Sequence, residues 1–388
     1  MFNQTILSSW SGLKTPFYFY DLNLLEQTTD LAKSHSSKHG FNIHYALKAN
    51  SNNEIVNHMQ FQGFGADCVS GNEIKKAIEC GINPVKIVYA GVGKTDDEIE
   101  FAINTNIFCF NVESINEVEV INEIALRLNK TAPIALRINP NVNANTHQYI
   151  TTGLNENKFG INIWELSELV EHIKAMSGIK LIGLHFHIGS QVTDMEVFRN
   201  LCNRVNYISE YFENKRIPIQ HLNMGGGLGI NYNDPNKHPI CDFETYFGIF
   251  KNFLNVKPNQ QVHFELGRSL VAQCGSLISR VLYIKKGIKT NFMILDAGMT
   301  ELIRPALYQA VHSIENLTKE YINKTPLHEY YDVVGPICES SDCFGKSVKL
   351  PFTERGDLIA IRSAGAYGEV MASNYNLREK PKAIYKFI

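Results

Sequence analysis

The chain alternates between short apolar runs with strand spacing and longer stretches with helical spacing. Between the runs, apolar residues recur every three or four positions, as in NEIVNHMQ, GNEIKKAIEC, TDDEIEFAIN and SINEVEVINEIALRLN. The β-prone runs are HYALKA (44–49), GADCVS (65–70), VKIVYA (85–90), IFCFNV (107–112), PIALRIN (133–139), KLIGLHFHIG (180–189), IQHLNMGG (219–226) and VHFELG (262–267). This number of β/α units favours a (β/α)8 TIM barrel over an open doubly wound sheet, which usually has fewer strands.

The pattern changes after about residue 272. The segments SLISRVLYIKK, NFMILDAG, YYDVVG, DLIAIRSAG and AIYKFI are strand-like, and no comparable helices separate them. PFYFYD, at 16–21, has the same character and precedes the first barrel unit. We therefore predict an α/β barrel over residues 23–272 and a second, discontinuous β domain built from 1–22 and 273–388.

Ionisable side chains share one face of several predicted strands. Residues two apart in a strand point the same way, so His44, Ala46 and Lys48 lie on one face. The same parity directs a further set inward: Asp67, Arg137, Asn139, His185, His187, Asn223, His263 and Glu265. A purely structural interior is filled with Val, Ile and Leu, so we expect these groups at the carboxyl ends of the strands, where barrel enzymes carry out their chemistry.

Composition narrows the kind of partner. The chain has 388 residues, of which 44% are hydrophobic and 20% charged, with a formal charge of −2. Nucleic acid or a membrane surface requires a concentrated cationic face, so we predict a soluble protein with a small-molecule partner. The start, MFNQTILSSWSGLK, lacks a signal-peptide pattern, which favours a cytoplasmic location. Eight cysteines without a CxxC spacing do not indicate a disulfide scaffold or a zinc finger.

The inward lysine and a glycine-rich turn suggest a particular chemistry. Burial and cationic neighbours favour a neutral amine, so Lys48 is a candidate to form a Schiff base with an aldehyde; the alternative is a solvated surface lysine. NMGGGLGI (223–230) sets three glycines after a strand, where backbone N–H groups can approach a phosphate, and HIGSQ (187–191) adds Gly189 and Ser190. Ile230 breaks the dinucleotide fingerprint, and no G-K-[ST] follows.

A phosphate-bearing aldehyde held by a lysine predicts pyridoxal 5′-phosphate. The pyridine nitrogen of this cofactor needs an acid and its ring needs a flat neighbour, for which Glu265 and His187 are the candidates. A salt bridge from Glu265 to Arg268 or Arg137 is the alternative. The pair His185 and His187 could instead bind zinc in a metal hydrolase, although further ligands are scarce.

Nine blocks carry a family resemblance. They are HYALKAN, GADCVSGNE, NKFGI, LHFHIGSQ, GGGLGI, ELGRSLVA, DAGM with IRPALY, GPICESSD and GAYG, in this order over almost the whole chain. On these blocks the chain resembles the fold-type III pyridoxal-phosphate decarboxylases that act on meso-diaminopimelate. The resemblance implies an alanine racemase-like fold and a homodimer with shared active sites. It also implies decarboxylation at the D-centre of the substrate to give L-lysine, the last step of lysine biosynthesis.

The resemblance also implies roles for individual residues around the cofactor. Lys48 would be the Schiff-base lysine, His187 would stack on the ring and Glu265 would meet the pyridine nitrogen. The remaining cofactor-binding positions are Ser190, Gly225, Gly226 and Gly227 at the phosphate, Asp67 and Arg137 as supports, and Tyr367 of GAYG from the β domain.

The distal end of this substrate is itself an amino acid and needs groups of both charges. Arg268, Arg304 and Tyr308 are candidates for its carboxylate and Glu339 for its ammonium group, with Tyr367 also in contact. A charge-assisted bond contributes roughly 1.5–3 kcal/mol, so a substrate without the distal carboxylate should be rejected.

The resemblance implies that the neighbouring subunit supplies Cys338 and Glu339, with Asp342 nearby. Cys338 is a candidate proton donor to the α-carbon, and Lys48 competes for that role. Rival functions are decarboxylation of ornithine, arginine or carboxynorspermidine, amino-acid racemisation, and noncatalytic carriage of the cofactor.

Overall fold

The computed structural model describes residues 2–10, 12–142, 158–322 and 327–387. The chain divides into two compact units. The barrel unit comprises Thr29–Gly229 and Asp242–Gly267, and the sheet unit comprises Met1–Thr28, Ile230–Cys241 and Arg268–Ile388. The domain boundaries inferred from the sequence, at residues 23 and 272, stay a prediction. Asn157, the first residue of the NKFGI block, lies outside the described residues.

The strands and helices follow one another in alternation through the first two thirds of the chain. In chain order, the strands are β1 (Phe17–Asp21), β2 (Asn42–Ala46), β3 (Gly65–Cys68), β4 (Ile87–Tyr89), β5 (Cys109–Val112), β6 (Ala132–Arg137), β7 (Ile179–His185), β8 (His221–Asn223), β9 (Gln261–Leu266), β10 (Gly275–Lys286), β11 (Asn291–Leu295), β12 (Ile314–Asn316), β13 (His328–Val334), β14 (Cys343–Pro351), β15 (Leu358–Ile361) and β16 (Lys382–Lys386). The α-helices are α1 (Gln4–Ser9), α2 (Leu22–Ser37), α3 (Asn53–Phe61), α4 (Gly71–Glu79), α5 (Asp96–Thr105), α6 (Ile115–Arg127), α7 (Leu166–Lys174), α8 (Met195–Asn214), α9 (Phe243–Phe253), α10 (Arg268–Val271) and α11 (Arg304–Tyr308).

Strands β2 to β9 form a closed parallel barrel, in which β9 pairs with β2. The predicted (β/α)8 barrel is therefore confirmed. Several strands are shorter than their apolar runs suggested: β6 ends at Arg137 and β7 ends at His185, so Asn139 and His187 lie in the connections beyond them.

Local capping signals set where the helices begin and end. Helix α5 begins with a capping box between Thr95 and Glu98, and it ends at Asn106 in the left-handed conformation with φ of 56°. Its Ile99 and Ala102 are buried, as the helical spacing of apolar residues requires. Within the described ranges, no helix combines the length and apolar character needed to cross a membrane.

The sheet unit is built on a mixed β sheet. Its main path runs β12, β15, β10, β11, β13 and β14, and β1 pairs antiparallel with β10 and parallel with β16. The PFYFYD segment thus belongs to this sheet. Phe17 and Phe19 of β1 pack with Trp10, the residue after α1, and with Ile278 of β10 in the buried core of the unit. The fold-type III architecture of a barrel and a second β domain is confirmed.

Candidate active site

Lys48 lies in a turn, which corrects the expectation that it ends a strand. Strand β2 ends at Ala46, and Leu47–Ala49 form one turn of 3-10 helix. The side chain of Lys48 is 34% exposed rather than buried, and its Nζ donates to Oδ2 of Asp67 at 2.7 Å. The amine of Lys48 is therefore paired with an acid. Burial, with the negative charge of Glu265, raises the pKa of Asp67 against the opposing effect of Lys48.

The carboxylate of Glu265, on β9, is held by three side chains from other strands. Its Oε1 accepts from Nδ2 of Asn111 at 2.9 Å and from Nδ2 of Asn223 at 2.7 Å, while Oε2 lies 3.0 Å from Nε2 of His185. All four residues are buried. Burial alone would raise the pKa of Glu265, but His185 and Lys48 hold it well below the ordinary value of a glutamate. Glu265 is therefore an ionised carboxylate inside the barrel.

Arg137 makes its ion pair with Glu113, so the alternative of a Glu265–Arg137 salt bridge is wrong. Nη1 of Arg137 donates to Oε1 of Glu113 at 2.5 Å, and the Gly160 and Gly91 amides donate to the same carboxylate. Sequence reasoning missed Glu113 and also Asn111. The strand parity that selected Asp67 would have found Asn111, since CFNV is an otherwise apolar strand with one amide side chain.

His187 lies beyond the end of β7 and presents a neutral ring. Its Nδ1 accepts a hydrogen bond from the Gly226 amide at 3.3 Å. Burial, with the positive charges of Arg137 and Lys48, lowers the pKa of His187 well below its ordinary value. The imidazole therefore carries its one proton on Nε2 and offers an uncharged flat face.

Two glycines of the turn after β8 lie too close to neighbouring backbone to carry a side chain. A Cβ on Gly225 would come 2.2 Å from the Phe186 carbonyl oxygen, and one on Gly226 would come 2.2 Å from that of Glu265. The amides of Gly225 and Gly226 donate to Asn223 and His187. The phosphate-binding role of Gly225, Gly226 and Gly227 stays a prediction. Among the described residues, the Gly227 amide donates to no partner in the chain.

His44 and His263 lie apart from the groups at the carboxyl ends of the strands, which corrects their placement with the inward catalytic set. They form a hydrogen-bonded chain with His221: Nε2 of His44 lies 3.0 Å from Nδ1 of His263, whose Nε2 lies 3.1 Å from Nδ1 of His221. Nδ1 of His44 lies 3.0 Å from the Lys86 carbonyl oxygen, which can only accept. Each ring therefore donates one proton along the chain, which makes His44 and His263 neutral. Burial lowers the pKa of His221, so the third ring is neutral as well.

In the sheet unit, two buried arginines share a tyrosine. Nη1 of Arg268 donates to Oη of Tyr232 at 2.6 Å, and the guanidinium of Arg304 lies over the Tyr232 ring at 4.7 Å. Arg268 also lies over the ring of Tyr367 at 4.8 Å. Tyr308, at the end of α11, is half-buried. Arg268, Arg304 and Tyr367 are thus brought together within the sheet unit, and their role as substrate-binding residues stays a prediction.

Arg304 makes no ion pair within the part of the chain that the structure describes. Its Nη1 instead bonds Nε2 of His312 at 2.8 Å, and both residues are buried. Sequence reasoning missed His312 and Tyr232. His312 stands four residues after Tyr308 in IRPALYQAVH, but no periodicity marks a residue in an irregular segment as a partner of Arg304.

Cys338 and Glu339 lie on an exposed loop between β13 and β14. Oε1 of Glu339 accepts from Tyr375 at 2.8 Å, and the Cys338 amide donates to Asn376. Asp342 is a structural residue of this loop, since its buried carboxylate accepts the amides of Ile337 and Met299. Within one chain, these contacts do not join Cys338 or Glu339 to the Arg304 group.

The side chains of the barrel unit fit pyridoxal phosphate. The cofactor needs an amine, an ionised acid, a flat uncharged neighbour and anion-binding amides. Lys48, Glu265, His187 and the Gly227 turn supply one of each. In addition, the buried Oδ1 of Asp67 has no hydrogen-bond partner among the described residues, which leaves an acceptor beside the Lys48 amine.

The two histidines considered as zinc ligands are engaged elsewhere. His185 bonds Glu265, and His187 accepts from Gly226. Over the described ranges, no group of three or more His, Cys, Asp or Glu side chains is arranged to hold a metal ion.

Comparison with known proteins identifies the class. Residues 24–272 match the family model described as "Pyridoxal-dependent decarboxylase, pyridoxal binding domain". The fold and this match define a pyridoxal-dependent decarboxylase, and they confirm pyridoxal phosphate as the cofactor.

Relatives that match nearly the full length of the chain identify the family within this class. A diaminopimelate decarboxylase of Bacteroides thetaiotaomicron is 55% identical over 377 residues, which cover 97% of this chain and 96% of that relative. One of Helicobacter pylori is 42% identical over 384 residues, covering 98% and 92%. The crystal structure of diaminopimelate decarboxylase from Helicobacter pylori complexed with L-lysine matches with a TM-score of 0.91 at 40% identity, covering 98% of this chain and 94% of that one. The chain belongs to the diaminopimelate decarboxylase family, which confirms the predicted resemblance.

Proposed function

We propose that this chain decarboxylates meso-diaminopimelate at its D-centre, giving L-lysine and carbon dioxide as the last step of lysine biosynthesis in the cytoplasm. The observation that carries the proposal is Arg304, a buried guanidinium with no carboxylate partner among the described residues, grouped with a second buried arginine, Arg268. Leaving such a charge unpaired is costly, so the pair is suited to an anionic group on a ligand. A substrate whose distal end carries a carboxylate supplies that anion.

The barrel unit acts on the reacting end of the substrate. Bound pyridoxal phosphate withdraws electrons from the α-carbon, so that the carboxylate on it can leave as carbon dioxide. In this proposal, Lys48 would hold the cofactor through its aldehyde. Glu265, kept ionised by its amide donors and His185, holds a proton on the pyridine nitrogen. His187 offers its neutral face to the ring, and the turn at Gly225–Gly227 with Ser190 binds phosphate.

Asp67 and Arg137 support these groups without touching the reacting atoms. The bond from Lys48 to Asp67 holds the amine in place, and the ion pair with Glu113 fixes Arg137. Such pairs orient the residues that they contact, because a buried charge keeps its partner in one geometry.

The sheet unit acts on the distal end. Arg268 and Arg304, with Tyr308 and Tyr367, would bind the distal carboxylate, and Glu339 would bind the distal ammonium group. Ornithine and arginine lack the distal carboxylate, so they would leave the buried charge of Arg304 without an anionic partner. This difference favours meso-diaminopimelate over the other basic amino acids.

We also propose that the chain forms a homodimer whose two subunits share their active sites. Cys338 and Glu339 lie on an exposed loop, in a position open to a second copy of the chain. Cys338 of that copy would return a proton to the α-carbon, or would position Lys48 to do so. The predicted boundaries at residues 23 and 272 belong to the same proposal.

The test is release of carbon dioxide by the purified protein supplied with cofactor. We expect release from meso-diaminopimelate, little from ornithine or arginine, and none by Lys48→Ala. Borohydride reduction followed by peptide mapping should label Lys48 in the parent protein. A label on another side chain, or faster release from ornithine, would overturn the proposal. Wash-in of deuterium at the α-carbon without loss of carbon dioxide would favour a racemase.

A further inference from the structure

We infer that His312 is a specificity-determining residue, which positions Arg304 for a ligand carboxylate without neutralising its charge. The inference deepens the proposed function and rests on it for the identity of the ligand. It concerns His312 and Tyr232, two residues of the sheet unit.

The protonation of His312 follows from its two partners. Nδ1 of His312 lies 2.7 Å from the carbonyl oxygen of Arg362, which can only accept, so Nδ1 carries the proton. Nε2 is then an acceptor, and it takes the hydrogen bond from Nη1 of Arg304 at 2.8 Å. Burial, with the positive charge of Arg304, lowers the pKa of His312 to about 3, so the ring stays neutral at any ordinary working pH.

Tyr232 completes an uncharged cradle around the two guanidinium groups. Its ring packs against His312 at 5.0 Å in an edge contact and lies under Arg304 at 4.7 Å, while its hydroxyl accepts from Arg268. The Ser313 amide donates to the Tyr232 carbonyl at 3.2 Å, which ties the backbone next to His312 to the same segment. Arg304 is thereby fixed by an imidazole and an aromatic face.

A neighbouring arginine of the same unit shows the alternative arrangement. Nη1 of Arg362 donates to both carboxylate oxygens of Glu315, at 2.7 and 2.9 Å, and its charge is neutralised inside the chain. A carboxylate at position 312 would do the same to Arg304 and would compete with the ligand. A neutral acceptor orients the guanidinium and leaves its charge available, which is what selection of a carboxylate requires.

The test compares two ligands that differ in one group. L-lysine, the product, retains the distal carboxylate of the substrate, and cadaverine is the same molecule without it. Dissociation constants of both for the holoenzyme, measured by calorimetry, give a ratio that isolates the carboxylate, and the KM and kcat for meso-diaminopimelate give the second readout.

Three variants of His312 separate positioning from packing. His312→Gln keeps an acceptor near Nε2 and should retain most of the ratio. His312→Leu removes the acceptor and should weaken L-lysine binding by about tenfold or more, with cadaverine unchanged. His312→Glu should weaken L-lysine binding most of all, because the new carboxylate pairs with Arg304. In each case we expect KM to change more than kcat.

His263→Leu is the matched control, since it removes another buried neutral histidine, in the barrel unit, and should leave the ratio unchanged. The inference is wrong if His312→Glu binds L-lysine as tightly as the parent, or if His312→Leu weakens both ligands equally. If His312→Leu does not fold, the comparison of His312→Gln with His312→Glu tests the inference without it. An intact ratio in a protein that does not decarboxylate meso-diaminopimelate would contradict the proposed function and leave the inference about His312 standing.

Discussion

Two sets of buried polar side chains lie on the barrel strands, and they differ in whether their hydrogen bonds are complete. The histidine chain, His44, His263 and His221, satisfies every nitrogen that faces another member and carries no charge. The carboxylate cluster, Glu265 with Asn111, Asn223 and His185, holds an ionised acid, and Nδ1 of His185 has no partner among the described residues.

The contrast distinguishes polar side chains that stabilise the barrel from polar side chains that can bind a ligand. His263 and Glu265 are two residues apart on β9 and share its inward face, so the strand pattern treats them alike. A set whose members satisfy one another's hydrogen bonds stabilises the fold and needs no ligand. A set that keeps a charge and an unpartnered polar atom is suited to a ligand that completes it.

The largest expected effect comes from removing the charge of the carboxylate cluster. Glu265→Gln keeps the shape but cannot hold a proton on the pyridine nitrogen, so we expect kcat for carbon dioxide release to fall by roughly 10²–10³-fold. The thermal midpoint should change little by comparison. Activity within a few-fold of the parent would mean that the charge of Glu265 has no role in the reaction.

The opposite result is expected for the histidine chain. His263→Leu leaves Nε2 of His44 and Nδ1 of His221 without their partner, so we expect a loss of roughly 2–3 kcal/mol in the free energy of unfolding. The kcat per folded molecule should stay at the parent value. Urea unfolding and the decarboxylation assay measure the two quantities, and a fall in kcat with unchanged stability would reverse the assignment.

Low pH should destabilise the folded protein through the same chain of histidines. Burial, with the nearby His44 and His221, lowers the pKa of His263 to about 2 in the folded protein, against about 6.5 in an unfolded chain. Below pH 6.5 the unfolded state therefore binds a proton that the folded state excludes, and stability falls by about 1.4 kcal/mol per pH unit from this group. Stability from His263 is complete above that pH. Urea midpoints between pH 7 and 5 should fall less steeply in His263→Leu, and equal slopes would count against the neutral chain.

The smallest expected effect is on kcat and on the acid limb of its pH profile. Asn111→Ala removes one of the donors to Glu265, so the pKa of that carboxyl should rise toward its ordinary value and kcat should fall by roughly fivefold. Activity requires the ionised form, so the acid limb of the pH profile should move upward. Asn203→Ala, on the exposed face of α8, is the control that should leave the profile in place.

Several features of the site could be predicted from single residues, and others depend on partners far away in the chain. Glu265 can be predicted because it is the acid in the otherwise mostly apolar strand VHFEL. Asn111 lies 154 residues before it, and nothing local links the two. The alternation of His44 and Ala46 predicts that the strand continues to Lys48, whereas the chain turns at Leu47–Ala49 and exposes part of the Lys48 side chain.

The sequence by itself determined the barrel, the sheet that follows it and the chemistry of an amine, an acid and a glycine turn. Spacings of two and of three to four residues set strands and helices locally, and the type of side chain sets what it can bind. Only the tertiary structure decided that His44 and His263 close on each other, that Glu265 keeps its charge among amides, and that Arg304 meets the neutral His312. Spacing determines which face a residue takes, but its charge state depends on the neighbours that folding brings from distant segments.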